Sequence, residues 1–123
     1  MSGISLVSDT NPLIYLLEGN YDVAEYLDGK HVWISLITEL ELFAKKGLSY
    51  NEKEEIDLLL NSCFIAEINS EIKEITKDLM QRQSIKLPDA IIAATSLYLD
   101  LPLMSADSVF KNVPGLKFIL LEI

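Results

Sequence analysis

The stretch "LVSDTNPLIYLL" (Leu6–Leu17) decides the fold. A short apolar run ends at Asp9, and Pro12 then opens a second apolar run of helical type. We expect a strand over residues 4–8 and a helix that has Asn11 as its N-cap and Pro12 at its first position. Because Asn11 provides the cap, Asp9 is not needed for local structure, although it could still bind loop amides. The stretch therefore predicts a strand, an acid available for function, and a helix.

The rest of the chain continues this alternation of short apolar runs and longer helical ones. Four more strands are expected, in the stretches "VWIS", "CFIAEI", "LPLMS" and "KFILLEI". Strands separated by helices indicate βαβ units and a parallel sheet that is covered on both faces. We therefore predict one α/β domain over residues 1–123, with a central five-stranded parallel sheet. Ligands of such sheets bind at the carboxyl ends of the strands.

The composition restricts the classes of protein. Nineteen acidic residues outnumber ten basic ones, so the formal charge is −9, which argues against a surface that tracks phosphates. Acids gathered in one site could still be neutralised by bound cations. The single cysteine excludes an internal disulfide. Neither a signal peptide nor an apolar run of the ~20 residues that span a membrane is visible, so we expect a cytoplasmic protein.

Two further acids repeat the placement of Asp9 near strand ends. Asp107 follows the strand in "PLMSA", so it would lie at the same sheet edge as Asp9 if the two strands are neighbours. Asp89 follows Pro88 at the start of an alanine-rich helix that can pack close to the sheet. Each acid also has a purely structural interpretation, since Asp107 can cap the next helical turn and Asp89 suits a first helical turn.

The helix in "SLITELELFAKKG", which we expect to end at Gly47, carries two acids that receive different interpretations. At ~100° per residue, Glu41 falls on the polar side and suits an i,i+4 pair with Lys45. Glu39 falls at the edge of an apolar stripe, so it points toward the protein and needs a partner there. A solvated acid near the helix N-terminus is the simpler alternative for Glu39. That stripe consists of Leu36, Leu40 and Phe43.

The four acids Asp9, Glu39, Asp89 and Asp107 would repel one another unless cations neutralised them. Carboxylate oxygens suit Mg²⁺ or Mn²⁺, whereas one cysteine and one histidine cannot build a zinc site. Two such ions can activate a water and stabilise the leaving oxygen in phosphodiester cleavage. The pattern therefore predicts a metal-dependent phosphodiesterase.

Three segments resemble the motifs of the PIN-domain family, and specifically of VapC-type toxin ribonucleases. "VSDTNPLIYLL" is similar to the opening motif of the family, and "SLITELEL" to the second. "KLPDAIIAATSLYLDLPLMSADSVFKNV" is similar to the third and fourth. Each motif alone is weak, but all four in order are specific. The resemblance covers nearly the whole chain and implies a PIN-like three-layer α/β/α sandwich around a five-stranded parallel sheet.

The resemblance also implies an activity and a set of roles. It implies RNA cleavage that depends on Mg²⁺ or Mn²⁺, a homodimer, and an antitoxin that occupies the site with a peptide segment. Asp9, Glu39 and Asp89 would hold the metal, and Asp107 would support it or bind a second ion. The supporting residues would be Thr10, Asn11 and Ser105. Ser105 stands where threonine is usual, and serine keeps the hydroxyl.

Three other functions are alternatives to a ribonuclease. A receiver-like signalling domain also binds Mg²⁺ at strand ends, but it would need an acid pair after the first strand, and only Asp9 is there. A binding module with a silent site on the same fold is a further alternative. A Ser-His-Asp hydrolase is disfavoured, because no motif pairs His31 with a serine nucleophile.

Overall fold

The structure, a computed structural model, describes residues 3–122. Short strands alternate with helices, as the sequence predicts, and a 3₁₀ helix precedes the last strand. In chain order, the elements are β1 (Ser5–Ser8), α1 (Thr10–Leu17), α2 (Tyr21–Leu27), β2 (His31–Ser35), α3 (Leu36–Leu42), α4 (Tyr50–Asn61), β3 (Phe64–Ala66), α5 (Ser70–Arg82), α6 (Leu87–Leu99), β4 (Leu103–Ser105), the 3₁₀ helix (Ser108–Asn112) and β5 (Phe118–Leu120).

The five strands form one parallel sheet in the order β3-β2-β1-β4-β5, which confirms the predicted fold class. From β1 the chain adds β2 and β3 on one side and then returns to add β4 on the other side of β1. The order therefore reverses between β1 and β4. In open parallel sheets, the crevice outside the carboxyl ends of the strands at such a reversal is where ligands bind.

The core lies on both faces of the sheet, because side chains alternate along each strand. In β1, Leu6 packs with side chains of α1–α4, whereas Val7 packs with those of α5, α6 and the 3₁₀ helix. Ile34 lies in the core cluster that contains Leu6, and Phe110 lies in the cluster that contains Val7. Both residues are fully buried. Three layers result, with the sheet in the middle. No helix within residues 3–122 is both long and apolar enough to span a bilayer.

Two predicted helix boundaries were wrong. Helix α1 begins at Thr10, with Asp9 rather than Asn11 in the N-cap position. Helix α3 ends at Leu42 rather than near Gly47. Residues 43–47 are all exposed, so they bury no apolar side chain that would extend the helix.

Side chains cap the starts of three helices. The side chain of Ser35 accepts a hydrogen bond at the start of α3, and Asn69 does the same for α5. Ser49 and Glu52 form a capping box at the start of α4.

Candidate metal site at the strand ends

Asp9 lies directly after β1, at the edge where the strand order reverses. It occupies the N-cap position of α1, yet its side chain makes no capping hydrogen bond. The residue is only 6% exposed, and its carboxylate Oδ2 accepts a hydrogen bond from the Ser105 hydroxyl at 2.6 Å. Burial raises the pKa of Asp9 above its ordinary value, although the Ser105 hydrogen bond opposes the rise. The carboxylate of Asp9 is therefore held by the end of β4 and is not used as a helix cap.

Ser105 connects the ends of β1 and β4. Its hydroxyl donates to Asp9 and also accepts a hydrogen bond from the backbone amide of Asp107 at 2.9 Å. One fully buried hydroxyl thus ties the first acid to the loop that carries the fourth. The side chain of Asp107 is exposed and caps the 3₁₀ helix through the amide of Val109, so its structural interpretation is also correct.

Thr10 connects β1 to helix α3. Its hydroxyl lies 2.5 Å from Oε1 of Glu41 and 3.1 Å from the hydroxyl of Thr38, which is fully buried. A hydroxyl has one hydrogen and a carboxylate only accepts, so Thr10 donates to Glu41 and Thr38 supplies the hydrogen of the second bond. These two hydrogen bonds, from Thr38 to Thr10 and from Thr10 to Glu41, fix the orientation of the Glu41 carboxylate.

Asn11 holds the loop after β4. Its side-chain Oδ1 accepts a hydrogen bond from the backbone amide of Ala106 at 3.1 Å. The consecutive residues Asp9, Thr10 and Asn11 therefore bind three different parts of the molecule: the end of β4, helix α3 and the loop that leads to Asp107. The predicted capping role of Asn11 was wrong because a contact 95 residues away in sequence uses its side chain instead.

Asp89 lies in the first turn of α6, after Pro88. Behind it, the small residues that the sequence singled out are completely buried, which lets the helix pack closely: Ala90, Ala93 and Ala94. Burial raises the pKa of Asp89, and the negative charges of Asp9, Asp107 and Glu41 raise it further. The structure thus brings Asp89 into electrostatic contact with the acids at the strand ends.

Glu39 is the one predicted acid that the structure does not bring to this group. The charges that raise the pKa of Asp9 and Asp89 include that of Glu41 but not that of Glu39. The acid of α3 at the cluster is therefore Glu41. The predicted pair of Glu41 with Lys45 was also wrong, because Lys45 pairs with Glu52 at 3.1 Å and Glu41 is bound by Thr10.

The error came from the apolar stripe of α3. Leu40 is 59% exposed, whereas the residues that face the core are Thr38 and Leu42. At 100° per residue, Glu39 and Glu41 lie about 80° to either side of that buried stripe. Periodicity alone therefore cannot choose between them. The signal that was overlooked is Thr38, a polar residue whose burial requires a hydrogen-bond partner nearby.

The cluster consists of Asp9, Glu41, Asp89 and Asp107, and we call it the acidic cluster. The charges of Glu41 and Asp107 raise the pKa of both Asp9 and Asp89, and the charge of Asp9 also raises that of Asp89. Its donor atoms are all oxygens, which suit Mg²⁺ and Mn²⁺. Within residues 3–122, no three acidic, histidine or cysteine side chains stand close enough to share one metal ion as they lie. The chemistry of the donors fits a hard divalent cation, and its binding would require the carboxylates to move closer together.

Comparison with known proteins agrees with this architecture. The family model for the PIN domain matches residues 6–116. A chain in a toxin–antitoxin complex from Klebsiella pneumoniae is 31% identical, with a TM-score of 0.80 over 93% of this chain and 95% of that one. Comparison with curated proteins finds no match.

Two structures of lower identity show the same fold. DNA-bound VapBC from Salmonella typhimurium has a TM-score of 0.83 at 17% identity, covering 94% of this chain and 97% of that one. VapBC2 from Rickettsia felis, bound to a promoter DNA fragment, has a TM-score of 0.82 at 16% identity, covering 97% and 100%. The predicted resemblance to the PIN-domain family is thereby confirmed, and this chain belongs to that family.

Proposed function

We propose that this protein is a divalent-metal-dependent endoribonuclease and the toxin of a toxin–antitoxin pair. The observation that carries the proposal is the acidic cluster at the reversal of strand order, where the charges of Glu41 and Asp107 raise the pKa of Asp9 and Asp89. Such a cluster is unfavourable unless it binds cations or protons. Perturbed acids in this position favour a catalytic or metal-binding role over a structural one.

In this proposal Asp9, Glu41 and Asp89 hold the metal, and Asp107 supports it or holds a second ion. A bound Mg²⁺ or Mn²⁺ would supply an activated water and charge stabilisation for phosphodiester hydrolysis. The chain contributes orientation, since Ser105 holds the Asp9 carboxylate and Thr10 holds that of Glu41. Glu41 replaces Glu39 in the role that the resemblance implied.

An antitoxin segment is the proposed protein partner, and an apolar groove supports it. The groove has a volume of about 220 Å³ and lies between α1, α3 and α4. Its apolar lining includes Ile14, Leu17, Leu42, Leu48 and Ile56, and its charged lining includes Glu18, Glu41, Lys45, Glu52 and Glu55. Because acids outnumber the single base, the segment should be basic and apolar. Glu41 lines the groove and also belongs to the acidic cluster, so a peptide there would reach the site.

The first test is cleavage of a total small-RNA pool with Mn²⁺, Mg²⁺ or EDTA. Wild type should produce discrete fragments with either metal and none with EDTA. The Asp9→Asn variant should produce none under any condition, because it loses a charged ligand. The variant keeps an acceptor for the Ser105 hydroxyl, so the local structure should be preserved. Cleavage that persists in EDTA, or in Asp9→Asn at the wild-type rate, would overturn the proposal. Size-exclusion chromatography of the purified chain tests the homodimer that the family implies.

A catalytically silent binding module is the second candidate. It is favoured by one observation, that no three ligands stand at metal-sharing distance within residues 3–122. Titration of Mn²⁺ by calorimetry separates the two functions. Binding that is lost in Asp9→Asn supports the nuclease, whereas no binding at millimolar Mn²⁺ supports the silent module.

A further inference from the structure

A second cavity opens beside the acidic cluster. It measures about 490 Å³ and is lined by residues 83–86 between α5 and α6, by Asp89, and by Asp107 and Val109 at the 3₁₀ helix. Asp89 and Asp107 are members of the acidic cluster, so the cavity is continuous with the candidate metal site. Its volume falls within the ~300–1,000 Å³ range of sites for small ligands.

The walls of this cavity are fixed to the body of the protein. The side-chain amide of Gln83 donates a hydrogen bond to the backbone carbonyl of Asn112 at 3.2 Å, which ties the end of α5 to the 3₁₀ helix. Ile85 packs against the core on the α5–α6 side of the sheet. The loop of residues 83–86, which lines the cavity, is therefore anchored at Gln83 and Ile85.

Lys86 supplies the only positive charge among the residues that line the cavity. Its charge lowers the pKa of Asp89, opposite to the effect of the carboxylates, so the two side chains interact electrostatically. Within residues 3–122, Lys86 forms no salt bridge, unlike Lys45, Lys77 and Lys117. An exposed lysine beside acids, with its ammonium group unused, is suited to bind an anion that approaches the site.

We propose that this cavity binds the nucleotide next to the scissile phosphodiester of a single-stranded RNA, with Lys86 contacting its phosphate. The inference rests on the proposed ribonuclease function and deepens it. Ser84 offers a hydroxyl to the edge of an unpaired base, and Ile85 and Val109 offer apolar surface. Single-stranded RNA fits because its bases are free to enter a cavity.

The first experiment measures RNA binding without cleavage. A fluorescently labelled, mixed-sequence single-stranded RNA is titrated with Asp9→Asn protein in Mn²⁺, and the anisotropy is recorded at several salt concentrations. Adding Lys86→Gln should weaken binding about two- to fivefold, as expected for one exposed charge contact. The slope of log K against log salt should become shallower by about 0.7, the value for one single-strand phosphate. Lys53→Gln is the matched control, since Lys53 is exposed on α4 and does not line the cavity.

A second variant tests the cavity itself. Ser84 is exposed, so Ser84→Tyr should fold normally while it fills part of the space. In an otherwise wild-type chain, Ser84→Tyr should raise KM for RNA several-fold with little change in kcat.

Two results would overturn the inference. One is that Lys86→Gln and Ser84→Tyr bind and cleave RNA like Lys53→Gln. The other is that Lys86→Gln changes only the acid limb of the plot of kcat against pH. That result would mean that Lys86 acts through the pKa of Asp89 and does not contact RNA. If wild type itself cuts no RNA in Mn²⁺, the ribonuclease proposal has failed instead.

Discussion

The exits of β1 and β4 occupy equivalent places in the fold, yet their acids differ in environment. Asp9 is nearly buried, makes no capping bond and accepts a hydrogen bond from Ser105. Asp107 is exposed and caps the 3₁₀ helix through the amide of Val109. Asp9 therefore caps no helix, whereas Asp107 caps one. Equivalent positions on a sheet edge therefore do not imply equal shares in function.

The comparison predicts unequal losses when each acid is neutralised. Asp9→Asn should reduce metal-dependent RNA cleavage by more than about 100-fold, because it removes a ligand rather than the partner of one. Asp107→Asn should reduce it by about tenfold, since Asn also caps helices and only the charge is lost. Initial rates on one RNA fragment in Mn²⁺ measure both. Equal losses would mean that the two exits contribute alike.

A second pair of variants shows which acid of α3, Glu41 or Glu39, takes part in RNA cleavage with the acids at the ends of β1 and β4. Glu41→Gln should reduce cleavage by about 100-fold, because Glu41 interacts electrostatically with both Asp9 and Asp89. Glu39→Gln makes the same chemical change two residues away and should leave the rate within about twofold. The same rate assay applies. The reverse result would assign the site to Glu39 and contradict the geometry of the acidic cluster.

The third prediction concerns the hydrogen bond that joins Ser105, at the end of β4, to Asp9, at the end of β1. Ser105→Ala leaves Asp9 buried without its hydroxyl partner and should reduce cleavage by about 10-fold, at the lower end for a residue that supports a ligand. Ser105→Thr keeps the hydroxyl and should restore most of the activity. Rates for the two variants are compared with their Mn²⁺ affinities from calorimetry. If Ala and Thr behave alike, the hydroxyl does not position Asp9.

The smallest effect concerns stability in the absence of metal. Burial raises the pKa of Asp9, so the native state binds this proton more tightly than the unfolded chain does. Stability in EDTA should therefore fall as the pH rises from the ordinary carboxyl value, about 3.9, through the raised value. Asp9→Asn cannot lose this proton, so its melting temperature should be higher than that of wild type at pH 7. Near pH 3 the two melting temperatures should be the same.

Calorimetric melting in EDTA across this pH range tests the expectation, with Glu39→Gln as the control for a lost carboxylate elsewhere. Mn²⁺ should then raise the melting temperature of wild type but not that of Asp9→Asn. A lower melting temperature for Asp9→Asn at pH 7 would show that the charged form of Asp9 stabilises the fold.

The strands, most helices and the class of sheet were predictable because each depends on nearby residues. An apolar run that stops at an acid, such as the one ending at Asp9, needs no distant information to be recognised. The positions of Asp9 and Asp107 at strand ends followed from this local pattern, and that of Asp89 from the start of an alanine-rich helix. What the structure adds is that β1 and β4 are neighbours, which places two of these acids at one edge.

The choice between Glu39 and Glu41 was not predictable from α3 alone. Glu39 and Glu41 lie on opposite borders of the buried stripe. The hydrogen bond from Thr10 to Glu41, which are 31 residues apart, shows which border faces the site. The role of Asn11 depends likewise on a distant amide, that of Ala106. Long-range hydrogen bonds leave little trace in periodicity, so such errors concentrate at the site.

The bond between Ser105 and Asp9 joins residues that are 96 positions apart, and this has a consequence for synthesis. A ribosome releases β1, β2 and β3 well before Asp89 and β4 exist, and domains can begin to fold as they emerge. A nascent chain would therefore contain Asp9 and Glu41 but lack the other half of the acidic cluster. If the protein cleaves RNA, it cannot attack the messenger being translated until nearly the last strand has left the ribosome.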